Sequence, residues 1–166
     1  MLRIGLLSDT HSYLHPKIFD FFLECDEIWH AGDIGTIEIA GKLSSFKPLK
    51  AVYGNIDGQD IRIVYPKEVI FLSEKVKVVM THIGGYPGRY EQSALRLILN
   101  EKPQLFLTGH SHILKVMYDK KYQLLFITPG AAGKYGFHTS ITMVRFLIDG
   151  EQVKDLEILD IPREIK

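Results

Sequence analysis

The chain has 166 residues, 46% hydrophobic and 24% charged, which suits one globular core and is short for two. Lys plus Arg balance Asp plus Glu at 20 each, which argues against a protein whose main task is to coat nucleic acid or an anionic membrane. The single cysteine, Cys25, excludes an intramolecular disulfide and has no partner at zinc-site spacing, so a packed thiol is expected.

RIGLLSDTH, at the start of the chain, reads as a buried parallel strand that breaks at Ser8 into a polar loop. Its apolar run is too short for a signal-peptide core or a membrane span, no later run approaches spanning length, and a cytoplasmic location is expected. Pro16 suits the first turn of a helix with Ile18, Phe19, Phe22 and Leu23 on one face. EIWHAGDIG is a second strand and loop, and Thr36 the predicted N-cap of a helix carrying Ile37, Ile39, Ala40 and Leu43. LKAVYGNID is the third strand. Strand, helix, strand, helix, strand implies right-handed crossovers and a parallel sheet.

After this unit the texture changes. VIFLSEKVKVVMTH predicts two strands joined by a tight turn at Ser73 to Lys75. RYEQSALRLILN has helical spacing at Leu95, Ile98 and Leu99, with Pro103 beyond its end. QLFLTGHSH is another strand and loop. LKVMYDKKYQLLFITPG and ITMVRFLIDGEQVKDLEIL read as hairpins, the second turning at Asp149-Gly150. No linker, repeat or low-complexity segment divides the chain. The expected architecture is a two-layered sheet core with helices outside, parallel in its N-terminal half and mostly antiparallel in its C-terminal half.

The apolar strands end in SDTH, AGDIG, YGNID, MTHIGG and TGHSH. Each loop carries Asp, Asn or His directly after a run that should be buried. Strands entering one sheet side by side deliver such loops to a common edge, where open α/β folds keep their ligands. Asp9 and His11, and likewise His110 and His112, are two positions apart; in extended backbone each pair faces one cavity. Gly32, Gly54 and Gly109 allow tight turns beside it. Two aspartates, one asparagine and four histidines mix oxygen and nitrogen donors without a thiolate. That set suits manganese, iron(II), nickel or zinc better than calcium or magnesium. Seven donors exceed what one tetrahedral ion needs, so two ions sharing a carboxylate are the favoured reading over a single structural metal.

Taken together and in order, SDTH, GDIG, GNID, the lone His82 and GHSH resemble the calcineurin-like metallophosphoesterases. The likeness is greatest to their small single-domain bacterial and archaeal phosphodiesterases, a branch related to the endosomal retromer subunit of the same fold. It runs from the first strand to about Pro129-Gly130. The resemblance implies one domain over 1–166, an α/β (α+β) sandwich of two packed mixed β-sheets flanked by helices. By position, Asp9, His11 and His112 would hold one ion and Asn55, His82 and His110 the other. Asp33 would bridge both, and a bridging hydroxide would be the nucleophile. Asp33, Asn55 and Asp57 are the expected catalytic residues, and manganese the first choice of metal.

Alone, most of these residues have simpler readings: Asp9 and Asp33 as loop aspartates or caps, GNID as a turn. His30 is either a support for a ligand or a packed strand-end histidine. Arg89, Lys134 and His138 are candidates to reach a phosphate. In many superfamily members a histidine that assists the leaving group follows the motif's asparagine; here Ile56 stands there, while Asp57 keeps the acid. Isoleucine donates no proton, so substrates with basic leaving groups should suffer most. The expected activity is hydrolysis of a small or nucleotide-like phosphodiester, with no stable nucleic-acid or membrane partner and homo-oligomer formation left open. A binding or scaffold protein that has kept the fold without useful turnover is the alternative.

Overall fold

Alternation along β1 (Leu2–Leu7) sends Ile4 and Leu6 to one face and Leu7 to the other, and both faces are buried. That double burial is why the segment reads as a near-continuous apolar run. A computed structural model of the chain describes residues 1–163; the last part of the expected 1–166 domain, residues 164–166, lies outside the described residues. After β1 come α1 (Lys17–Phe21), β2 (Glu27–His30), α2 (Ile37–Phe46) and β3 (Leu49–Ala51), with β1 parallel to β2 and β2 to β3. Thr36 takes the N-cap position of α2, though its side chain makes no capping bond.

A short helix, α3 (Gln59–Val64), then follows, which the sequence pattern does not announce. The hairpin of β4 (Glu68–Ser73) and β5 (Val76–Thr81) turns where expected, with Glu74 in the left-handed region. The segment after His82 forms a two-stranded ribbon of β6 (Gly85–Tyr86) and β7 (Arg89–Tyr90). Beyond it lie α4 (Gln92–Glu101), β8 (Leu105–Leu107), the hairpin β9 (Leu114–Asp119) and β10 (Leu124–Pro129), and the long hairpin β11 (Ser140–Asp149) and β12 (Gln152–Pro162).

The strands form two five-stranded mixed sheets, ordered β12-β11-β1-β2-β3 and β4-β5-β8-β10-β9. The second sheet is less antiparallel at its centre than the expected contrast between halves suggests, because β8 lies parallel between β5 and β10. Crossovers through α4 and through β9 give the chain the length that parallel pairing needs. Each sheet thus has three parallel strands. In the first they run out to the edge at β3, with the β11–β12 hairpin on their other side; in the second, antiparallel β4 and β9 flank them.

Three apolar layers hold this together. Ile4, Leu6 and Trp29 of the first sheet meet Val78, Met80, Leu105 and Leu107 of the second. The outer face of the first sheet packs on α1, α2 and α3 through Leu7, Ile28, Ile18, Leu43 and Ile61. The outer face of the second packs on α4 through Val79, Phe106, Ala94 and Ile98. Two expected helix-face residues are exposed: Leu23 at 59%, past the end of α1, and Leu99 at 54%, off the Ala94–Ile98 stripe. Cys25 is buried as expected, and burial pushes its thiol up to about 11. Among the described residues no helix is long and apolar enough to cross a membrane.

Candidate metal centre

The five polar loops follow β1, β2, β3, β5 and β8, so parallel strands from both sheets deliver them to one end of the sandwich. The chain leaves those strands sharply. Asp9, His11, Asp33, His110 and His112 all have positive φ, between 44° and 73°. Side chains seldom tolerate that region, and each such residue costs on the order of 1–3 kcal/mol. The expectation that Asp9 and His11, or His110 and His112, share a cavity through extended backbone is therefore corrected: left-handed turns aim them.

Two ligand groups result. In one, ligand atoms of Asp9, His11 and His112 all lie within 4.8 Å of one another; in the other, so do those of Asp33, His82 and His110. The two histidines of GHSH fall into different groups. Asn55 joins the second, its Oδ1 lying 3.1 Å from His82 Nε2 and 3.1 Å from His110 Nδ1. Asp33 stands between the groups, Oδ2 lying 3.2 Å from His82 Nε2 and 3.4 Å from His11 Nε2.

The donor atoms are set for a cation. Asp9 is fully buried; its Oδ2 accepts the Ser8 hydroxyl at 2.6 Å and the His110 N–H at 3.0 Å. Its Oδ1 has no hydrogen-bond partner and lies 3.2 Å from His112 Nε2. His11 Nε2 is likewise buried without a partner. His82 donates Nδ1–H to the Ala31 carbonyl at 2.7 Å, which in the neutral ring leaves the Nε2 lone pair facing the oxygens of Asn55 and Asp33. Only positive charge among these atoms, a proton or a metal ion, makes that contact favourable. Burial works to raise the Asp9 carboxyl, but the imidazoles of His11, His112 and His82 outweigh it and hold it far below the usual carboxylate range. Asp33 is shifted the same way: burial opposes, and His82 prevails.

Surrounding residues fix the ligands. Asp57, expected in the catalytic set, is buried and spends its carboxylate on the backbone N–H groups of Ile34, Gly35 and Gly54. It clamps the Asp33 loop to the Asn55 loop rather than facing the cavity. The Asp33 carboxylate is steadied in turn by the Ile56 N–H, at 3.0 Å from Oδ1. Arg62 of α3 holds the carbonyls of Asp57 and Asn55, at 2.7 and 3.3 Å. His30 accepts the Gly32 N–H and contacts the Thr10 hydroxyl at 3.0 Å; burial pushes it down to about 4, so it stays neutral and ties loops together. A Cβ at Gly54 would collide with Asp33, and one at Gly32, where φ is +102°, would lie 2.6 Å from His82 Nδ1.

Sequence reasoning passed over Ser8 and Arg62. The serine directly before Asp9 is the signal it missed; Arg62 lies on a helix whose start has only Gly58 to mark it.

Ile56 is 47% exposed and lines the open cleft over the ligand groups with Ile113, Tyr135, Phe137 and His138. His138 donates Nε2–H to the Gly133 carbonyl at 2.7 Å, and its ring centre is 5.1 Å from that of His112. The other expected phosphate contacts lie elsewhere. Arg89 lines a separate cavity with Tyr118 and Lys120, and Lys134 sits over the Tyr13 ring at 4.2 Å.

With this geometry in view, comparison with known proteins is direct. Residues 2–151 match the family model of the calcineurin-like phosphoesterase superfamily domain. A probable metallophosphoesterase of Methanothermobacter thermautotrophicus is 29% identical over 165 residues, covering 95% of this chain and 92% of that protein. A second probable metallophosphoesterase, from Methanocaldococcus jannaschii, is 30% identical over 136 residues, covering 78% of this chain and 68% of that protein. Among solved structures, one described as a novel archaeal phosphodiesterase superposes with a TM-score of 0.74 at 20% identity, over 95% of this chain and 100% of that one. The zinc complex of Vps29 from Entamoeba histolytica gives 0.73 at 15% identity, over 98% of this chain and 100% of that one. A sandwich of two mixed sheets carrying donor groups for divalent metal at the ends of its parallel strands is the metallophosphoesterase plan. The chain belongs to the calcineurin-like phosphoesterase superfamily.

Proposed function

We propose that the protein is a phosphodiesterase that binds two divalent ions, manganese foremost, and hydrolyses a small or nucleotide-like diester. The observation that supports this most is the position of Asp33, whose Oδ2 lies within 3.4 Å of a histidine nitrogen from each ligand group. Asp9, His11 and His112 would hold one ion, Asn55, His82 and His110 the other, and Asp33 both. Bound there, the ions would supply hydroxide at neutral pH and offset charge on the reacting phosphate. The chain does the rest: Ser8 and the Ile56 and His110 amides hold the carboxylates in place, Asp57 and Arg62 fix the Asn55 turn, and Ile56 faces the leaving group without a proton to give. A cytoplasmic location belongs to the same reading, in keeping with the free thiol of Cys25.

A second reading, a scaffold that keeps the fold and the ions, draws on the exposed apolar lip of the cleft. Phe137 is 104% exposed, Tyr135 73% and Ile113 63%. One experiment separates the two. The protein is stripped of metal, given manganese, nickel, zinc or magnesium singly, and assayed with bis(p-nitrophenyl) phosphate and with p-nitrophenyl phosphate. The enzyme reading expects metal-dependent turnover with the diester preferred. Ion binding without turnover of either ester selects the scaffold.

A further inference from the structure

The metal centre opens onto two clefts of opposite character, and Asn55 lines both. The cleft of ≈ 490 Å³ on the Ile56 side has an apolar lip of Ile56, Ile113, Tyr135 and Phe137 and, among the described residues, no Lys or Arg. A second cavity, of ≈ 320 Å³, begins at Asn55 and His82 and extends past Tyr53 and Ser93 to Arg62 and Lys67. Among the described residues no Asp or Glu lines it.

Its two cations differ in what holds them. Arg62 lies over the Tyr53 ring at 4.5 Å, and its Nε and one terminal nitrogen are committed to backbone carbonyls. The other terminal nitrogen is in no protein hydrogen bond among the described residues. Lys67, in the loop leading to β4, makes no hydrogen bond or ion pair through its ammonium group among the described residues. Both Arg62 and Lys67 are solvent-exposed, so their charges stand at the rim of the cavity, where an anion entering from solvent can meet them. An ammonium and a preorganised guanidinium, with a serine beside them and no competing carboxylate, suit phosphate or carboxylate.

We propose that this cavity is a subsite for an anionic group on one arm of the diester, and that the apolar cleft across Asn55 takes the other, uncharged arm. The inference rests on the phosphodiesterase reading above and names the substrate class within it: an asymmetric diester with one arm ending in phosphate or carboxylate. A diester lacking that group forgoes the Lys67 contact, while one charged on both arms would drive an anion against the apolar lip, at a desolvation cost.

The test uses p-nitrophenyl diesters whose second arm is 2-phosphoethyl, 2-carboxyethyl or n-propyl, assayed on the manganese-loaded protein. Wild type should favour the charged arms over propyl in kcat/KM by about two- to fivefold, the range of an exposed charge pair. Lys67→Arg should keep the ratio, Lys67→Ala lower it to the share that Arg62 supplies, and Lys67→Glu bring it to one or below. A larger ratio for the phosphate arm assigns the site to phosphate; equal ratios assign it to either anion. Uncleavable p-nitrobenzylphosphonates with the same arms give a readout independent of turnover, because their dissociation constants, measured by calorimetry, should show the same ordering. A wild-type ratio of one while the propyl diester is hydrolysed overturns the subsite and leaves the phosphodiesterase reading standing. Ordered phosphonate binding with no hydrolysis of any diester keeps the subsite and removes that reading. A ratio indifferent to Lys67→Glu overturns the role of Lys67.

Discussion

The two sheets contribute unlike chemistry to the centre. Loops after β1, β2 and β3 supply every oxygen ligand, Asp9, Asp33 and Asn55, with one imidazole, His11. Loops after β5 and β8 supply imidazoles alone, His82, His110 and His112. Neither sheet completes a ligand group by itself. Asp9 and His11 need His112, while Asp33 and Asn55 need His82 and His110. A hard, acidic half and a softer, basic half thus meet only when the inner apolar layer closes. Metal affinity is in this sense a property of the packing between the sheets.

The largest effect should come from the residue that stands between the two ligand groups. Asp33→Asn removes charge from both groups, and its cost should exceed the 10–100-fold typical of losing a supporting residue, with both ions weakened. His112→Ala should mainly remove one. Elemental analysis after manganese reconstitution checks this, expecting close to two equivalents in wild type and about one in His112→Ala. An Asp33→Asn protein with both ions and near-normal turnover breaks the bridge.

Next is the layer between the sheets. Leu107 is fully buried there, directly before the turn that carries His110 and His112. Ile98, 2% exposed, lies in the layer outside the second sheet. Truncating either to Ala should cost about 2–5 kcal/mol in urea unfolding. Only Leu107→Ala should also weaken manganese binding in the protein that remains folded. Equal metal loss in both variants would remove the special role of the inner layer.

The acidic half has its own pH dependence through His30. Its pKa in the folded protein, about 4, is below the unfolded value near 6.5, so between them the unfolded chain binds the extra proton. The associated stability is complete above pH ~6.5 and falls by about 3 kcal/mol as pH drops toward 4. With metal chelated, His30→Asn should be less stable than wild type at neutral pH and show a shallower decline over that window. Parallel urea-midpoint curves would mean that His30 is protonated in the fold.

Smallest is the effect at the rim. Ile56→His places a proton donor in the exposed cleft without a prepared partner, since Asp57 is committed to backbone amides. The expected gain is about tenfold on diesters with poor leaving groups, at or below the low end of general acid catalysis, and little on nitrophenyl esters. A series of leaving groups should therefore give a shallower dependence on their pKa. Equal slopes in folded, fully metallated wild type and variant would mean that position 56 does not act on the leaving group.

The sequence by itself determined the longer elements and the donor inventory. Strand stretches buried on both faces must be apolar, so Ile4–Leu7 of β1, Val78–Met80 of β5 and the whole of β8 stand out, and a polar loop after each is legible as chemistry. The pairing of β8 between β5 and β10 is a non-local choice, invisible to periodicity. The ribbon of β6 and β7 and the six residues of α3 are too short for a period to show. Tertiary structure alone decided where each carboxylate points. Asp33 and Asp57 both follow a glycine-bearing strand end, yet one faces the histidines and the other three backbone amides. Asp and His enter the left-handed region more readily than most residues, but positive φ at five ligands together is strain that the packed sheets impose and hold.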